Sequence, residues 1–460
     1  MSAKSVNPEL TVVLRLIEAM LGAECEAKGI PGLSAAVILG GRKVWAKGFG
    51  NADLEHKIPA GPHTIYRMAS ITKLFTATML MQLRDAGKLS LDDPLVKYLP
   101  SFRLKSRFRD SRPITLRQVV SHTAGIPREG PIHRWRMAQS PSLDEVLNSL
   151  DQTESVFAPG TKYKYSNLSF ALLGSALEYV AEQPYDVYIT DHILRPLGMN
   201  ESGFEVNEAM KPAAAKGYLL HKDGTLHPAS QRPDGGAFVP VGQLRSSVAD
   251  ISRFIDFQFS NGMWNGRRVL SESTLREMHN PVFMNPDWLS GIGIGWFLSR
   301  MGTHVVISHD GGNPGFSADI AFLPDLKLGV AVLVNQTIDV LRLSHMMLEH
   351  LIPVMERLQA LELAEKATPL PTDWPKFTGK YIGDHDLEVE ISMKDGALVA
   401  LLPESSEGSR VVLIPVAENI FRMDGGPADG EQAAFDVNAD GQVTYLQGLE
   451  LNCQVPLRKI

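Results

Sequence analysis

Strand-like segments lie in two groups far apart in the chain, and this distribution limits the possible folds more than any other feature. Leu33–Leu39 and Lys43–Phe49 flank a Gly-Gly pair, which predicts a hairpin. A second group, bounded by Gly, Asp and Pro, predicts four further strands: Ile292–Leu298, His304–Ser308, Ala318–Leu323 and Gly329–Asn335. We therefore expect an α+β fold in which one antiparallel sheet is built from both ends of this region and flanked by helices.

The residues around and between these groups have mainly helical spacing of apolar side chains. The predicted helices are Pro8–Lys28, a segment from Ser70 to Gly87, Ile114–Ser121, Leu143–Leu150, Asn167–Glu182, Tyr185–Leu194, Val248–Phe259, Ser271–Met278 and Asp339–Lys366. Those in the middle predict a helical lobe at about residues 80–240, inserted into the sheet domain. A cleft between sheet and lobe is the expected substrate site.

The C-terminal part has a different pattern. After Pro369-Leu370-Pro371, which is typical of a linker, short alternating runs separated by glycines begin near Phe377. They predict a small all-β barrel. The expected domains are therefore residues 1–368 and residues 369–460.

Composition excludes several classes of protein. The 460 residues include 45 basic and 52 acidic side chains, a net charge of −7, which argues against a nucleic-acid partner. Two cysteines, Cys25 and Cys453, do not form a disulfide framework. The sequence shows no signal core, membrane-spanning run or metal-ligand spacing. We expect a cytoplasmic protein with no membrane partner, no metal and no cofactor.

Ser70 and Lys73 form the first candidate site. A serine at the start of an apolar helix lies among unpaired backbone N–H groups, and a lysine three residues later lies on the same helix face. This arrangement can activate a serine as a nucleophile. A serine that only caps the helix is the alternative.

Three further stretches contain candidate residues. Tyr165 and Asn167 follow a turn and precede a helix, where they either face the cleft or serve packing and capping. His309 precedes Gly311 and Gly312 at a predicted strand end, and the alternative there is a turn with a surface histidine. We interpret His122, at the end of a short helix, as structural.

Together, in this order and spacing, Ser70-x-x-Lys73, Tyr165-x-Asn167 and His309-x-Gly311 resemble the serine β-lactamase and penicillin-binding-protein superfamily, above all its class C β-lactamase-related branch. That branch includes family VIII carboxylesterases and D-aminopeptidases. The resemblance covers about residues 8–340. Flanking segments that share it are Phe49-Gly50-x-Ala52-Asp53, Ser121-His122-Thr123-Ala124-Gly125, Phe157-x-Pro159-Gly160 and Leu194-x-Pro196-Leu197-Gly198-Met199. The C-terminal segment resembles the lipocalin-like module attached to some of these hydrolases.

This resemblance implies acyl transfer through an acyl-enzyme on Ser70. Lys73 and Tyr165 would move the proton, and the sequence leaves open which of them is the base. Backbone N–H groups of Ser70 and Gly312 would hold the oxyanion. Asn167, His309 and Gly311 would line the site.

His309 departs from the pattern of β-lactamases, which usually have Lys-Thr-Gly where this chain has His309-Asp310-Gly311. That lysine binds a substrate carboxylate, and a histidine is largely neutral at pH 7. We therefore expect poor β-lactam hydrolysis. His-x-Gly occurs in esterase and aminopeptidase-like members.

Three hypotheses for the function follow. The first is a hydrolase of small esters or peptide-like amides, closest to a carboxylesterase. The second is a D-aminoacyl peptidase acting on short peptides, and the third is a non-catalytic scaffold or penicillin-binding relative. Acyl transfer to an alcohol or amine would use the same residues, and the apolar face of Asp339–Lys366 leaves a homo-oligomer open.

Overall fold

The computed structural model describes residues 7–108, 110–132, 140–230, 235–366, 374–383, 388–402, 409–426, 429–448 and 456–460. The chain divides into two compact units, Met1–Met355 and Glu356–Ile460. The linker expected at 369–371 and Cys453 lie outside the described residues, and the predicted domain boundary stays a prediction. Cys25 is a buried free thiol.

The strands of the first unit are mostly short. They are β1 Gly32–Leu39, β2 Arg42–Asp53, β3 Ile58–Pro59, β4 Tyr66–Arg67, β5 Tyr218–Leu220, β6 Leu226–Pro228, β7 Arg245–Ser246, β8 Met263–Trp264, β9 Arg267–Arg268, β10 Phe283–Met284, β11 Ser290–Ile292, β12 Phe297–Met301, β13 His304–Asn313, β14 Phe316–Leu323 and β15 Leu328–Val334.

One nine-stranded sheet organises this unit, in the order β10-β11-β12-β13-β14-β15-β1-β2-β3. Strands from the two ends of the region meet where β1 pairs antiparallel with β15, from Leu33 opposite Val334 to Leu39 opposite Leu328. This confirms the predicted α+β class and the antiparallel sheet built from both ends. The hairpin of β1 and β2 is also confirmed.

Two strand predictions in the second group are wrong in detail. The run Ile292–Leu298 is not one strand, because the chain turns between β11 and β12, where Gly293 donates its N–H to the Trp296 carbonyl at 2.8 Å. Gly295 in this turn has a φ of +81°, which favours glycine. The strand from His304 does not end at Ser308 but continues to Asn313, so the segment from His309 to Gly312 is strand and not turn.

The predicted helices are all present, and two short ones, Arg195–Leu197 and Val239–Gly242, were not predicted. The helices are α1 Pro8–Lys28, α2 Thr72–Asp85, α3 Leu116–Val120, α4 Leu143–Ser149, α5 Asn167–Ala181, α6 Tyr185–Ile189, α7 Arg195–Leu197, α8 Val239–Gly242, α9 Val248–Gln258, α10 Glu272–Met278 and α11 Leu341–Lys366. A π-helical turn, Thr190–Leu194, occupies the second half of the predicted helix Tyr185–Leu194.

Helix α2 runs through the centre of the first unit. Every residue from Thr72 to Met81 is buried, which is typical of a helix surrounded by protein on all sides. Its Phe75 stacks on Phe254 of α9 with ring centroids 4.4 Å apart. Truncating a buried aromatic residue of this kind to alanine costs about 3–5 kcal/mol. This packing fixes the helix that carries Lys73.

The second unit contains a closed eight-stranded barrel with its own core. Its strands are β16 Gly379–Ile382, β17 Glu388–Lys394, β18 Ala397–Leu402, β19 Ser409–Ala417, β20 Ile420–Asp424, β21 Gln432–Val437, β22 Val443–Gln447 and β23 Leu457–Lys459. Phe377, Phe421 and Phe435 pack together inside it, with centroids 4.6–5.5 Å apart. The predicted C-terminal barrel is confirmed, and its lipocalin-like character stays a prediction.

Across the part of the chain that the structure describes, helices long and apolar enough to span a lipid bilayer are absent. The predicted cytoplasmic location stays a prediction.

Candidate active site

Ser70 lies in a short 3₁₀ turn, Ala69–Ile71, directly before α2. The prediction that Ser70 begins the α-helix is therefore wrong by one short turn, because the α-helix begins at Thr72. Ala69 has a φ of +46°, a conformation that costs energy for a residue other than glycine. Ala69 and Ile71 are buried, whereas Ser70 is half-buried. The strained turn thus presents the serine hydroxyl while its neighbours are held in the core.

Contacts from a distant part of the chain hold this turn. The Met68 N–H donates to the Leu244 carbonyl at 2.8 Å, and the Leu244 N–H donates to Thr72 Oγ1 at 3.0 Å. The Thr72 hydroxyl in turn donates to the Ala69 carbonyl at 2.7 Å. Backbone strain at Ala69 persists because these bonds fix the residues on both sides of it.

Lys73 is fully buried, and its amine lies beside the serine. Its Nζ donates to Ser70 Oγ at 3.0 Å and to the Val241 carbonyl at 3.0 Å. The second contact fixes the direction of a side chain that otherwise has many rotamers. The Ser70 hydroxyl is therefore held by Lys73, and its role is not that of a simple helix cap. At this distance a proton can pass directly between the two side chains.

Tyr165 completes this side of the site. Its hydroxyl is hydrogen-bonded to Ser70, and the Lys73 Nζ lies 5.0 Å from its ring centroid. Burial raises the pKa of Tyr165 above its usual range, while the bond to Ser70 and the charge of Arg128 lower it. The phenol is therefore protonated near neutral pH. The Arg128 guanidinium lies 5.1 Å from the same ring.

His122 lies behind Tyr165 and is structural, as the sequence predicted. Its ring is 4.5 Å from that of Tyr165, and its Nδ1 accepts the Ser166 N–H at 3.1 Å. Burial, together with the nearby charge of Lys73, lowers its pKa well below the usual value. A neutral His122 therefore supports the start of α5 and packs against the ring of Tyr165.

His309 reaches the site from β13. It is buried, stacks on Phe297 with centroids 4.6 Å apart, and donates Nδ1–H to the Asp310 carbonyl at 2.6 Å. Burial lowers its pKa to about 4, although Asp310 opposes this shift. At pH 7 the ring is neutral, and its buried Nε2 is a bare acceptor that bonds no described residue. This histidine cannot supply the positive charge of a lysine.

Gly311 and Gly312 have different surroundings. A Cβ on Gly311 would lie 2.2 Å from the Met68 carbonyl oxygen and 3.1 Å from the Ser70 nitrogen, so only glycine fits. A Cβ on Gly312 would have no atom within 4 Å, and the residue is exposed. Strand β13 therefore contacts the turn Ala69–Ile71, called the serine turn below, at Gly311 and leaves open space beside the backbone of Gly312.

Asn167 makes a side-chain contact that the sequence did not predict. It begins α5 and is buried, and its Nδ2 donates to Glu129 Oε1 at 2.6 Å. Glu129 thus uses one of the two amide N–H groups of Asn167, and the prediction that this residue lines the substrate site stays a prediction. The residue still lies two positions from Tyr165 at the same helix start.

Several residues of this region escaped the sequence analysis. Val241 and Ala69 act through a backbone carbonyl and a backbone angle, and neither leaves a mark in the sequence. Arg128 and Glu129 follow the Ser121–Gly125 motif closely, so proximity to that motif is the signal that could have identified them. No group of three or more acidic, histidine or cysteine side chains within the described ranges has an arrangement suited to a metal ion.

Serine, lysine and tyrosine side chains that meet between an antiparallel sheet and a buried helix define a serine hydrolase of the β-lactamase fold. The family described as Beta-lactamase matches residues 15–346, and the chain belongs to this family.

The chain is similar to several named relatives. It is 29% identical to the human protein "Putative beta-lactamase-like 1", over 81% of this chain and 75% of that protein. It is 30% identical to "Beta-lactamase-like protein 2" of Dictyostelium discoideum, over 76% of this chain and 65% of that relative.

Solved structures share the fold. An octameric penicillin-binding protein homologue from Pyrococcus abyssi matches with a TM-score of 0.65 and 24% identity, covering 96% of this chain and 99% of that one. A class C β-lactamase from Rhodobacter sphaeroides matches with a TM-score of 0.62 and 23% identity, covering 73% of this chain and 99% of that one. At these identities the likeness concerns the fold alone.

Proposed function

We propose that this protein is a serine hydrolase that works through an acyl-enzyme on Ser70 and cleaves small ester or peptide-like amide bonds, with esters preferred. The observation that carries the proposal is the 3.0 Å contact between the Ser70 hydroxyl and the buried Lys73 amine. Ser70 is half-buried and thus open to a small substrate, and Tyr165 bonds the same hydroxyl.

Acylation begins when Ser70 Oγ attacks the carbonyl carbon of the substrate and transfers its proton. Because burial keeps the Tyr165 phenol protonated near neutral pH, we assign the role of first acceptor to Lys73, which has to be in its unprotonated form when Ser70 attacks. The C–O or C–N bond then breaks, and the leaving group takes a proton through Tyr165, which regains one from Lys73. Tyr165 is thus the acid and Lys73 the base in this step.

Deacylation uses the same groups in reverse. A water molecule attacks the Ser70 ester, its proton passes to Lys73, and Ser70 leaves with a proton as the free hydroxyl. In both steps the backbone N–H groups of Ser70 and Gly312 would hold the oxyanion. The close contact of Gly311 with the Ser70 turn and the open space beside Gly312 support this pairing.

The charges near His309 support a substrate without a carboxylate at this position. His309 is neutral at pH 7, and the half-buried Asp310 adds a negative charge whose field reaches Tyr165. A substrate carboxylate there would meet repulsion instead of a lysine. This supports an ester or an uncharged amide over a β-lactam.

Active-site labelling tests the proposal. A fluorophosphonate should label the full-length protein at one peptide, the one that contains Ser70, and Ser70→Ala should abolish both labelling and turnover. Ser299→Ala is the matched control, since Ser299 lies in β12 and is half-buried like Ser70. A folded wild-type protein that resists labelling would support the non-catalytic scaffold and refute the hydrolase.

A substrate panel then separates the two hydrolase hypotheses. Nitrophenyl esters of increasing acyl length are compared with D- and L-aminoacyl anilides. We expect turnover of short-chain esters to dominate. Turnover of D-aminoacyl anilides alone would show a D-aminoacyl peptidase and contradict the ester preference.

A further inference from the structure

A cavity of about 800 Å³ lies in the first unit at the outer edge of the sheet. The end of α9, helix α10, strands β10 to β13 and the segment from Pro324 to Lys327 enclose it. Ser70, Lys73, Tyr165 and His309 do not line it. The cavity is large enough for a small organic ligand. It is therefore a site separate from the one described above.

The inner wall of this outer-edge cavity is apolar. Leu275, Leu298 and Ile307 line it and are at most 5% exposed, and Phe259 and Met284 extend the same surface. Burying an apolar ligand surface here is favourable by about 25 cal/mol for each Å². Two polar side chains of the lining bond each other, because His279 donates its Nε2–H to Gln258 Oε1 at 3.1 Å. The wall therefore fits an apolar ligand body.

Trp288 lies at the mouth of the cavity and is unusual in its exposure and its backbone angle. Its side chain is 74% exposed and its φ is +57°, which is an outlier for so bulky a residue. The neighbouring Leu289, also lining the cavity, is 63% exposed. A strained, exposed aromatic residue beside an apolar cavity is typical of a binding site.

Charge at the mouth is predominantly positive. The lining contains Arg276, Arg300 and Lys327 but only two carboxylates, Glu272 and Asp325. Glu272 pairs with Arg276, and Asp325 bonds His304. Arg300 and Lys327 are exposed, and neither forms an ion pair with a described residue. Two cations without a carboxylate partner thus flank an apolar cavity.

We infer that the outer-edge cavity binds a small amphipathic anion, with its apolar body against Leu275, Leu298 and Ile307 and its anionic group between Arg300 and Lys327. The apolar wall accounts for the body and the two cations for the head group. Trp288 closes over the ligand from the hairpin between β10 and β11. This site does not depend on the chemistry proposed for Ser70.

Binding is tested on the full-length, folded protein with 8-anilinonaphthalene-1-sulfonate, a fused-ring sulfonate whose fluorescence rises in apolar sites. We expect saturable binding of one molecule per chain with a change in tryptophan emission. Trp288→Phe should remove most of the tryptophan signal. Dodecanoate should displace the probe, and dodecyltrimethylammonium, with the same chain but a positive head group, should displace it much more weakly.

Two variants test the position of the site. Val305→Trp should block part of the cavity, since Val305 lines it, and the 40% exposure of Val305 leaves room for a larger side chain. Its matched control is Val12→Trp, on the exposed side of α1. The double variant Arg300→Glu, Lys327→Glu, which reverses both charges, should weaken probe binding by about tenfold or more, equivalent to about 1.4 kcal/mol. The control Arg267→Glu should leave probe binding unchanged.

Three outcomes would overturn the inference. One is the absence of saturable binding. Another is binding that Val305→Trp leaves unchanged relative to Val12→Trp. The third is equal displacement by the anionic and cationic amphiphiles, which would show an apolar surface without charge selection. Saturable binding that is lost in Val305→Trp and weakened by charge reversal would establish the site.

Discussion

At the scale of single residues, the contact between Gly311 and the serine turn limits the site most tightly. A Cβ at position 311 would overlap the Met68 carbonyl and crowd the Ser70 nitrogen. Gly311→Ala should therefore push β13 away from the turn and lower kcat/KM for a short-chain ester by about 100-fold, the loss expected when oxyanion donors are displaced.

Steady-state kinetics and fluorophosphonate labelling rates would check this effect. Gly61→Ala is the matched control, because a Cβ there meets no atom within 4 Å and its φ is ordinary. A Gly311→Ala enzyme with wild-type activity and an unchanged melting temperature would show that the contact does not position the serine.

His309 sets the charge at the substrate side of the site. Since the histidine is neutral at pH 7, His309→Lys should place a cation there and improve kcat/KM for an ester that carries a carboxylate by about fivefold to tenfold, or about 1–1.4 kcal/mol. The readout is the ratio of kcat/KM for two esters that differ only in that carboxylate.

His309→Gln, which is uncharged, should leave this ratio unchanged. A ratio that does not rise in a folded His309→Lys enzyme, or that rises equally in His309→Gln, would contradict the assignment of His309 to carboxylate discrimination.

The sequence pattern predicted which residues form the site better than it predicted their hydrogen-bond partners and backbone conformations. Ser70, Lys73, Tyr165 and His309 were found because side-chain chemistry has to be encoded at fixed positions. The Val241 carbonyl that holds Lys73 lies 168 positions away and would serve with almost any side chain. The φ of Ala69 results from packing by distant residues, and the bond between Asn167 and Glu129 depends on how two loops meet.

At the scale of elements, β14 and α11 meet at a buried carboxyl group. Asp319 accepts a hydrogen bond from the Ser344 hydroxyl, and burial raises its pKa to about 7. The charges of Asp310, its partner across the strands, and of Asp339 act in the same direction. In the unfolded chain its pKa returns to about 3.8. Between about pH 4 and pH 7 the Asp319 carboxyl group is therefore protonated in the folded protein and ionised in the unfolded chain.

It follows that this group stabilises the fold at low pH and that the stabilisation is lost as pH rises through about 7. Asp319→Asn, which mimics the protonated group, should flatten the fall in melting temperature between pH 5 and pH 8. At pH 8 the variant should melt at a higher temperature than the wild type, with each kcal/mol worth about 2–4 °C.

Differential scanning calorimetry across this pH range is the measurement. The control is Asp144→Asn, an exposed carboxylate on α4. A pH slope that is the same in Asp319→Asn and in the wild type would show that Asp319 is ionised in the folded protein at both ends of the range.

Element positions were predictable where one local pattern dominates. Helix α1 matches its predicted bounds because apolar spacing, Pro8 and the αL residue Gly29 all agree. The segment His309–Gly312 was expected to end a strand, since adjacent glycines usually mark turns. In the folded protein the same glycines let the strand continue past the Met68 carbonyl, a tertiary contact that no local pattern contains.

At the scale of the whole molecule, the candidate catalytic side chains all lie in the unit Met1–Met355, and the barrel has a separate aromatic core. A chain ending at Lys366, which keeps all of α11, should therefore fold and react with a fluorophosphonate at Ser70 within about twofold of the full-length rate. A twofold difference in labelling rate corresponds to a change of only about 0.4 kcal/mol in the activation free energy.

The labelling rate of residues 1–366 is compared with that of the full chain, and Ser70→Ala in the shortened chain controls for non-specific reaction. Calorimetry of the full chain should show a transition for the barrel that the shortened chain lacks. A folded 1–366 chain that fails to label would mean that the second unit supplies something the serine needs. In that case the family fold alone, which residues 15–346 match, would be insufficient for the proposed reaction.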